Sequence, residues 1–552
     1  MEEKPSFWKK AALWISGRGF YAVLALCLVL SACVCAQADT VGTTEIPDLS
    51  GVELHLLSME SYASGVTFAD ILPVYRVIEE MTGVKLYWEV ANTDYNTVLQ
   101  TKLVSGENLD IVSCGSNNDL SFVSKLCADK NFVDINLYMD ELPGIKAYME
   151  ARPDVAASLT YYNGAKYVLP CATYNTQEGA DKALANSGDN IMIYRGDLAE
   201  ELGFDEIYTI DDLHAYLLAC KEAYPEMIPM LVRDWTTWCS VYVFSGSYGL
   251  HFCNPDSGSD YFYPDENGDI VFEPLTDACK EFVTEMATWY SEGLFGFSSD
   301  RQALCATNQV CAAWFTTDSG RQTVNKLLVE NGYEGAYFKD MHWLTGPEGK
   351  KGIGRRVPFI TTIGIVDNEN AEAALKFVDF TFFSDFGRAC MTFGAYGINW
   401  DYDENGMPRM NDETVQAYYI DQTTSATAQG GGVHTRMPRI TDYDYEQIAT
   451  EQSNAAYIAA GTYQPVSEES LACYAEWLDA CYPSFPFMFY NEEETEIYNG
   501  MYPDIKTRVQ EMLSRFITGE EPLDNWDAFV AEIKEMGIDK VVGAVQSAYD
   551  RR

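Results

Sequence analysis

Positive charge is scarce in this chain: 37 lysines and arginines stand against 83 aspartates and glutamates, a formal net charge of −46. A surface that acidic repels nucleic acid and anionic lipid headgroups, and it disfavours polyanionic ligands. Histidine is scarcer still. The five (His55, His214, His251, His342 and His434) are dispersed, which argues against a histidine-based metal site. No CxxC pair, G-x-S-x-G elbow, phosphate-binding P-loop or HExxH motif occurs, so those redox, zinc and hydrolase routes lack support. After the N-terminal leader no run of 18 or more apolar residues offers a membrane span. Fixed-period repeats and low-complexity tracts are absent too.

What is present begins with the leader. Lys4, Lys9, Lys10 and Arg18 precede an apolar run from Tyr21 to Leu30, which ends in Leu30-Ser31-Ala32-Cys33. The run is shorter than the ~20 residues of a spanning helix and has the layout of a secretory signal. The small residues before Cys33 resemble a bacterial lipobox. Residues 1–32 are therefore expected to be a lipoprotein signal peptide, with Cys33 as the lipidated residue and 33–50 as a flexible tether. That places the body on the extracytoplasmic face of the cell membrane, held by a lipid anchor. Beyond Cys33 there are 13 cysteines. Several, such as Cys220, Cys279 and Cys473, occupy places on helix faces where an alanine would serve, so most read as buried thiols.

The body alternates strand and helix. Val52 to Leu57 reads as a strand. Ile71, Leu72, Tyr75, Ile78 and Met81 follow at helical spacing, with Gly83 as the stop. Val84 to Val90 alternates as a second strand. Thr93 is placed to cap a helix carrying Tyr95, Val98, Leu99 and Leu103, which Gly106 closes. Leu109 to Ser113 is a third strand. Short joints between such units predict a parallel sheet covered on both faces, an α/β fold. Further on, Thr209 with Asp212 predicts an acidic capping box. Cys279, Phe282, Val283, Met286 and Trp289 share one helical face, and Phe359 to Val366 reads as a buried strand. Asn267-Gly268 and Asn405-Gly406 predict tight hairpins. The last 130 or so residues look mainly helical.

Several segments then match a family in order along the chain. TGVKLYWEV (82–90) and SGENLDIVSCG (105–115) resemble the N-terminal lobe of family 1 extracellular solute-binding proteins, the lipoprotein receptors of carbohydrate-uptake ABC transporters. Tyr194-Arg195-Gly196-Asp197-Leu198 with ELGF (201–204) and TIDDL (209–213), WYSEGLF (289–295), GPEGKKG (346–352) and FGAYGINWDYDENG (393–406) have counterparts there. The tail from FITGEEPLDNWDAFV (516–530) resembles the long Gram-positive members. One departure is Ile398-Asn399, where many members carry Glu-Gly. The resemblance implies a two-lobed periplasmic-binding-protein-like fold of type II with a helix-rich C-terminal region. It implies a first lobe of residues 51–169 plus 350–410 and a second of 170–349 plus 411–552, with a ligand cleft between them. It also implies a non-catalytic monomer that hands a carbohydrate to permease subunits, with no cofactor and no nucleic-acid partner.

Sugar recognition needs flat apolar faces plus fixed carboxylates, amides and guanidiniums. In parallel sheets the ligand lies beyond the C-terminal strand ends. That selects Glu60 and Tyr62, Asn92 and Asp94, then Ser116 and Asn117, with Tyr174 and Asn175 at the first crossover. In the second lobe Arg233, Asp234, Trp235 and Trp238 follow an apolar strand-like run, and Trp314 and Trp343 join the candidates there, with Tyr396 in the 350–410 part of the first lobe. Glu60 and Asp94 could equally cap turns or helix starts, and Trp235 and Trp238 could simply pack. Trp88, Trp289 and Trp526 read as core. Asp401 to Gly406 with Asp412 at the twelfth position resembles an EF-hand calcium loop. Asp in place of Glu at that position and the interrupting Pro408 make a hairpin the better reading, and no metal site is assigned. Two alternatives stay open: a receptor of the same fold for peptides or other solutes, and a secreted glycoside hydrolase with a carboxylate pair.

Overall fold

The computed structural model describes residues 40–552 apart from 60–71, 92–93, 117–119, 172, 188–191, 234–239, 252–260, 315–317, 355–360, 430–438, 462, 464–465 and 484. Cys33 and the leader therefore lie outside the described residues.

The first lobe is built on a five-stranded sheet in the order Lys85–Ala91, Glu53–Met59, Ile111–Ser116, Thr361–Ile365, Val168–Cys171. The first three strands are parallel, in register from Glu53 opposite Lys85 to Met59 opposite Ala91. Thr361–Ile365 runs antiparallel to both its neighbours. Leu54, Leu56 and Leu57 are all buried, because helices cover both faces. On one of them the Pro73–Thr82 helix buries Val74, Tyr75 and Ile78. It stops at Gly83, whose φ of 74° lets its N–H donate back to the Glu79 carbonyl. The Tyr95–Ser105 helix ends the same way at Gly106. Its N-cap position belongs to Asp94, and Thr93 lies outside the described residues.

The second lobe repeats the plan with one strand reversed. Its sheet runs Phe295–Phe297, Ile228–Val232, Val310–Trp314, Met192–Arg195, Phe338–Asp340, with Met192–Arg195 antiparallel to its neighbours. The expected capping box forms: Thr209 accepts from the Asp212 amide while the Asp212 carboxylate accepts from Thr209. In the Asp277–Ser291 helix Cys279, Phe282, Val283, Met286 and Trp289 all point inward. The C-terminal helices Glu492–Thr518, Trp526–Glu535 and Ile538–Asp550 add Ile505, Val509, Leu513, Phe529 and Val541 to the same core.

The chain crosses between lobes three times. It leaves the first lobe through Thr173–Tyr174 and returns through Ile353–Gly354. The last passage comes later than the residue-410 boundary expected from sequence. Tyr418, Ile440 and Ile448 are buried in the first lobe's core, so the stretch up to the Tyr443–Ala460 helix stays there. The final crossing is the run 481–490. Phe487 and Phe489 enter the first core while Phe485, Met488 and Tyr490 enter the second. Short parallel pairings stitch the passages, Thr173–Tyr174 with Ile440–Thr441 and Ile353–Gly354 with Cys481–Tyr482.

Both Asn-Gly pairs lie in hairpins, but in five-residue loops rather than tight two-residue turns. Asp265 accepts from the amides of Asn267 and Asp269, and Asp403 from those of Asn405 and Met407. An aspartate at the loop's first position thus sets the geometry, and the Asn-Gly pair sits inside it. Ten cysteines are described, all of them free thiols and nine buried. No helix among the described residues is long and apolar enough to cross a membrane.

Candidate functional site

Strand direction gives the location. In the first sheet the ends of Glu53–Met59, Lys85–Ala91, Ile111–Ser116 and Val168–Cys171 share one edge, and Thr361 starts there opposite Ser116 and Cys171. In the second sheet Val232, Phe297, Trp314 and Asp340 end at one edge, where Met192 begins. Two crossings join these edges directly. Residues 172–191 lead from the end of Val168–Cys171 to the start of Met192–Arg195. Residues 341–360 lead from the end of Phe338–Asp340 to the start of Thr361–Ile365. The two edges therefore lie on the sides of the lobes that face each other, which makes the space between them the candidate site.

On the first edge Ser116 is the last residue of its strand and Asp94 opens the next helix. Glu60, Tyr62, Asn92 and Asn117 continue from the same strand ends but lie outside the described residues. Asp94 holds φ at 49°, in the left-handed region, and its side chain makes no cap bond to the helix it precedes. Asp94 thus holds the N-cap position without a side-chain cap bond among the described residues, in a conformation that aspartate adopts more readily than most residues.

On the second edge Arg233 follows Ile228–Val232, Trp314 ends its strand, and Trp343 follows Phe338–Asp340. Asp234, Trp235 and Trp238 lie in the next, undescribed segment. Trp343 is buried among the second core, and its indole N–H has no partner among the described residues. Beside it lie groups that no motif had marked. Arg321 pairs with the buried Asp340 at 2.8 Å and donates to Ser470. His342 stacks on Tyr208 at 4.1 Å and contacts Glu476 at 2.8 Å and Glu206 at 3.5 Å.

Tyr174 and Asn175 prove to be part of a polar clasp around the first crossing. The Tyr174 hydroxyl donates to Glu446 at 2.9 Å, and Asn175 donates to Asp442 at 2.8 Å. Arg388 reaches Asp442 at 3.3 Å, Arg439 reaches Glu446 at 3.6 Å, and Arg152 donates to the Tyr174 carbonyl. Burial pushes the Glu446 carboxyl above its usual range, against the pull of Arg439 and the Tyr174 hydrogen bond. Tyr396 is not brought to the strand ends. Its ring packs against Phe386, Trp400 and Tyr402, beside the outlying 400–410 hairpin. That aromatic nest accounts for its placement.

Two α/β lobes with facing sheet edges and three crossings define a two-lobed solute-binding-protein fold. The sequence matches no family model and no curated protein, whereas the fold has many solved counterparts. The alginate-binding protein AlgQ2 superposes with a TM-score of 0.66 at 20% identity, over 91% of this chain and 98% of that one. The S. pneumoniae ABC-transporter substrate-binding protein FusA, solved as an EF-hand mutant with fructo-nystose, gives 0.68 at 18%, over 90% and 99%. A solute-binding protein from Bifidobacterium longum infantis, described as HMO-binding and ABC-transporter-associated, gives 0.64 at 15%, over 91% and 99%.

Proposed function

We propose that this chain is an extracytoplasmic receptor that captures an oligosaccharide between its lobes and delivers it to the permease of an ABC importer, without making or breaking a bond. The observation that carries this reading is the pair of facing sheet edges, set in a fold shared over some 90% of the chain with an alginate-binding protein and a substrate-binding protein solved with fructo-nystose. The edge segments supply both kinds of group a sugar needs. Trp235, Trp238 and Trp314 offer apolar ring surface, whereas Trp343 is buried in the second core. Glu60, Asn92, Asp94, Ser116, Asn117, Arg233 and Asp234 offer hydrogen bonds. With a net charge of −46, the chain suits a neutral saccharide better than a polyanionic one. Cys33 would carry the lipid that keeps a monomeric receptor near its transporter.

Mechanism follows from binding. A sugar that touches both edges stabilises the closed arrangement by its differential affinity for it, and closure reports occupancy. A thermal-shift screen against a saccharide panel tests the reading, since a specific ligand raises the melting temperature by mass action. Stabilisation by peptides alone would favour a receptor for other solutes, and turnover of a saccharide would overturn the non-catalytic reading. With a ligand in hand, Trp235→Ala and Trp238→Ala should weaken binding. Scattering should show compaction on binding, and its absence would sink the closure mechanism.

A further inference from the structure

The second and third crossings share a footing on the second lobe. Ile353–Gly354 and Cys481–Tyr482 run side by side as a parallel pair. The Val241–Tyr248 helix approaches the first of them so closely that a Cβ on Gly246 would lie 1.7 Å from the Gly352 carbonyl oxygen. A Cβ on Gly352 would in turn stand 3.2 Å from the Tyr482 ring, so the two passages already touch where their pairing begins. The first crossing, Thr173–Tyr174, has a separate support in the clasp of Arg152, Asp442 and Glu446.

The helix that carries Gly246 ends at Gly249, whose φ of 73° turns the chain and delivers His251. The His251 ring lies flat on Tyr263, with centroids 3.5 Å apart and planes 3° from parallel, and it meets the Tyr482 ring nearly at right angles at 4.5 Å. Glu273 fixes the histidine: its carboxylate accepts from the His251 backbone N–H at 2.8 Å and lies 2.6 Å from ring Nδ1. Glu273 is buried, and a carboxylate there needs such partners. Tyr263, on the Phe262–Pro264 strand, adds a bond of its own, donating its hydroxyl to the Pro483 carbonyl at 3.1 Å. One imidazole thus stands between a buried carboxylate of the second lobe and the ring of the third crossing.

We propose, resting on the closure mechanism above, that His251 is a positioning residue for that motion: held by Glu273 and Tyr263, it fixes the paired second and third crossings to the second lobe, so that both move with that lobe as one ribbon. Hydrogen–deuterium exchange of the ligand-free protein, corrected for intrinsic rates, tests it. His251→Asn keeps a donor for Glu273 but removes the ring. It should speed exchange at 353–354 and 481–482 about tenfold, the size of two lost aromatic contacts. Exchange at 173–174 and in the Asp277–Ser291 helix should stay at the wild-type rate, which a general loss of stability would not allow. Tyr263→Phe removes only the hydroxyl of a half-buried ring, so it keeps the test open even if the His251 variant fails to fold. It should speed exchange at 481–482 about fivefold, as one lost hydrogen bond would. Wild-type exchange at 481–482 in either variant, or acceleration spread equally over the first crossing and the helix, would overturn the assignment. With no ligand present, the outcome is independent of whether the cleft takes a saccharide.

Discussion

Asp379 offers a direct test of how burial and hydrogen bonding compete in this fold. Its carboxylate sits at the start of the Pro143–Ala151 helix and accepts from the Ile145 amide at 2.6 Å and the Gly144 amide at 3.2 Å. Those two bonds, with the helix N-terminus behind them, favour the charged form. Burial opposes them and wins, raising the pKa from 3.8 to about 6. Between those two values the folded chain keeps a proton that the unfolded chain has lost. Stability from this group is therefore complete below pH 3.8 and disappears as pH rises through about 6. Two pKa units correspond to about 3 kcal/mol. Because 83 acidic residues titrate together, the term is visible only as a difference between wild type and Asp379→Asn. Urea unfolding of both, at half-unit steps from pH 4 to 7, should show wild type losing about 3 kcal/mol relative to the variant. A difference that stays flat, or that grows in favour of wild type with pH, would refute the dominance of burial at this site.

Three further outcomes follow from packing. Trp289→Ala empties a fully buried site and should cost about 3–5 kcal/mol in denaturant unfolding. Gly346→Ala would set a Cβ 1.7 Å from the Ser247 carbonyl oxygen, so a loss of about 1–3 kcal/mol or more is expected from the same assay. Tyr174→Phe removes a donor from the half-buried Glu446 carboxylate, costing about 1 kcal/mol in the same assay.

Much of the architecture can be read locally. The early strands and helices announce themselves by period, and Gly83, Gly106 and the Thr209–Asp212 box mark helix ends within four residues of the signal. Strand order also points to candidate positions, since Ser116, Asp94 and Arg233 follow strand ends that can be read from the sequence. The limits are equally physical. Nothing in the apolar pattern of Tyr418 or Ile448 states which of two cores will receive it, so the third crossing was drawn too early. Tyr174 and Glu446 are 272 residues apart, and a hydrogen bond over that separation leaves no trace in either neighbourhood. The rings that pack against Tyr396 include Phe386, ten residues away, and a local pattern does not encode that aromatic nest.

The place of Thr361–Ile365 between Ile111–Ser116 and Val168–Cys171 has a consequence for how the chain is made. Synthesis delivers the flanking strands, which end at Ser116 and Cys171, long before Thr361 opens the strand that must lie between them. Until residue 365 emerges, each flanking strand keeps an unpaired inner edge, open to the wrong neighbour. Neither lobe can be cut out as a continuous piece of chain. The order of translation leaves the first lobe's sheet split in two until its fourth strand, Thr361–Ile365, arrives.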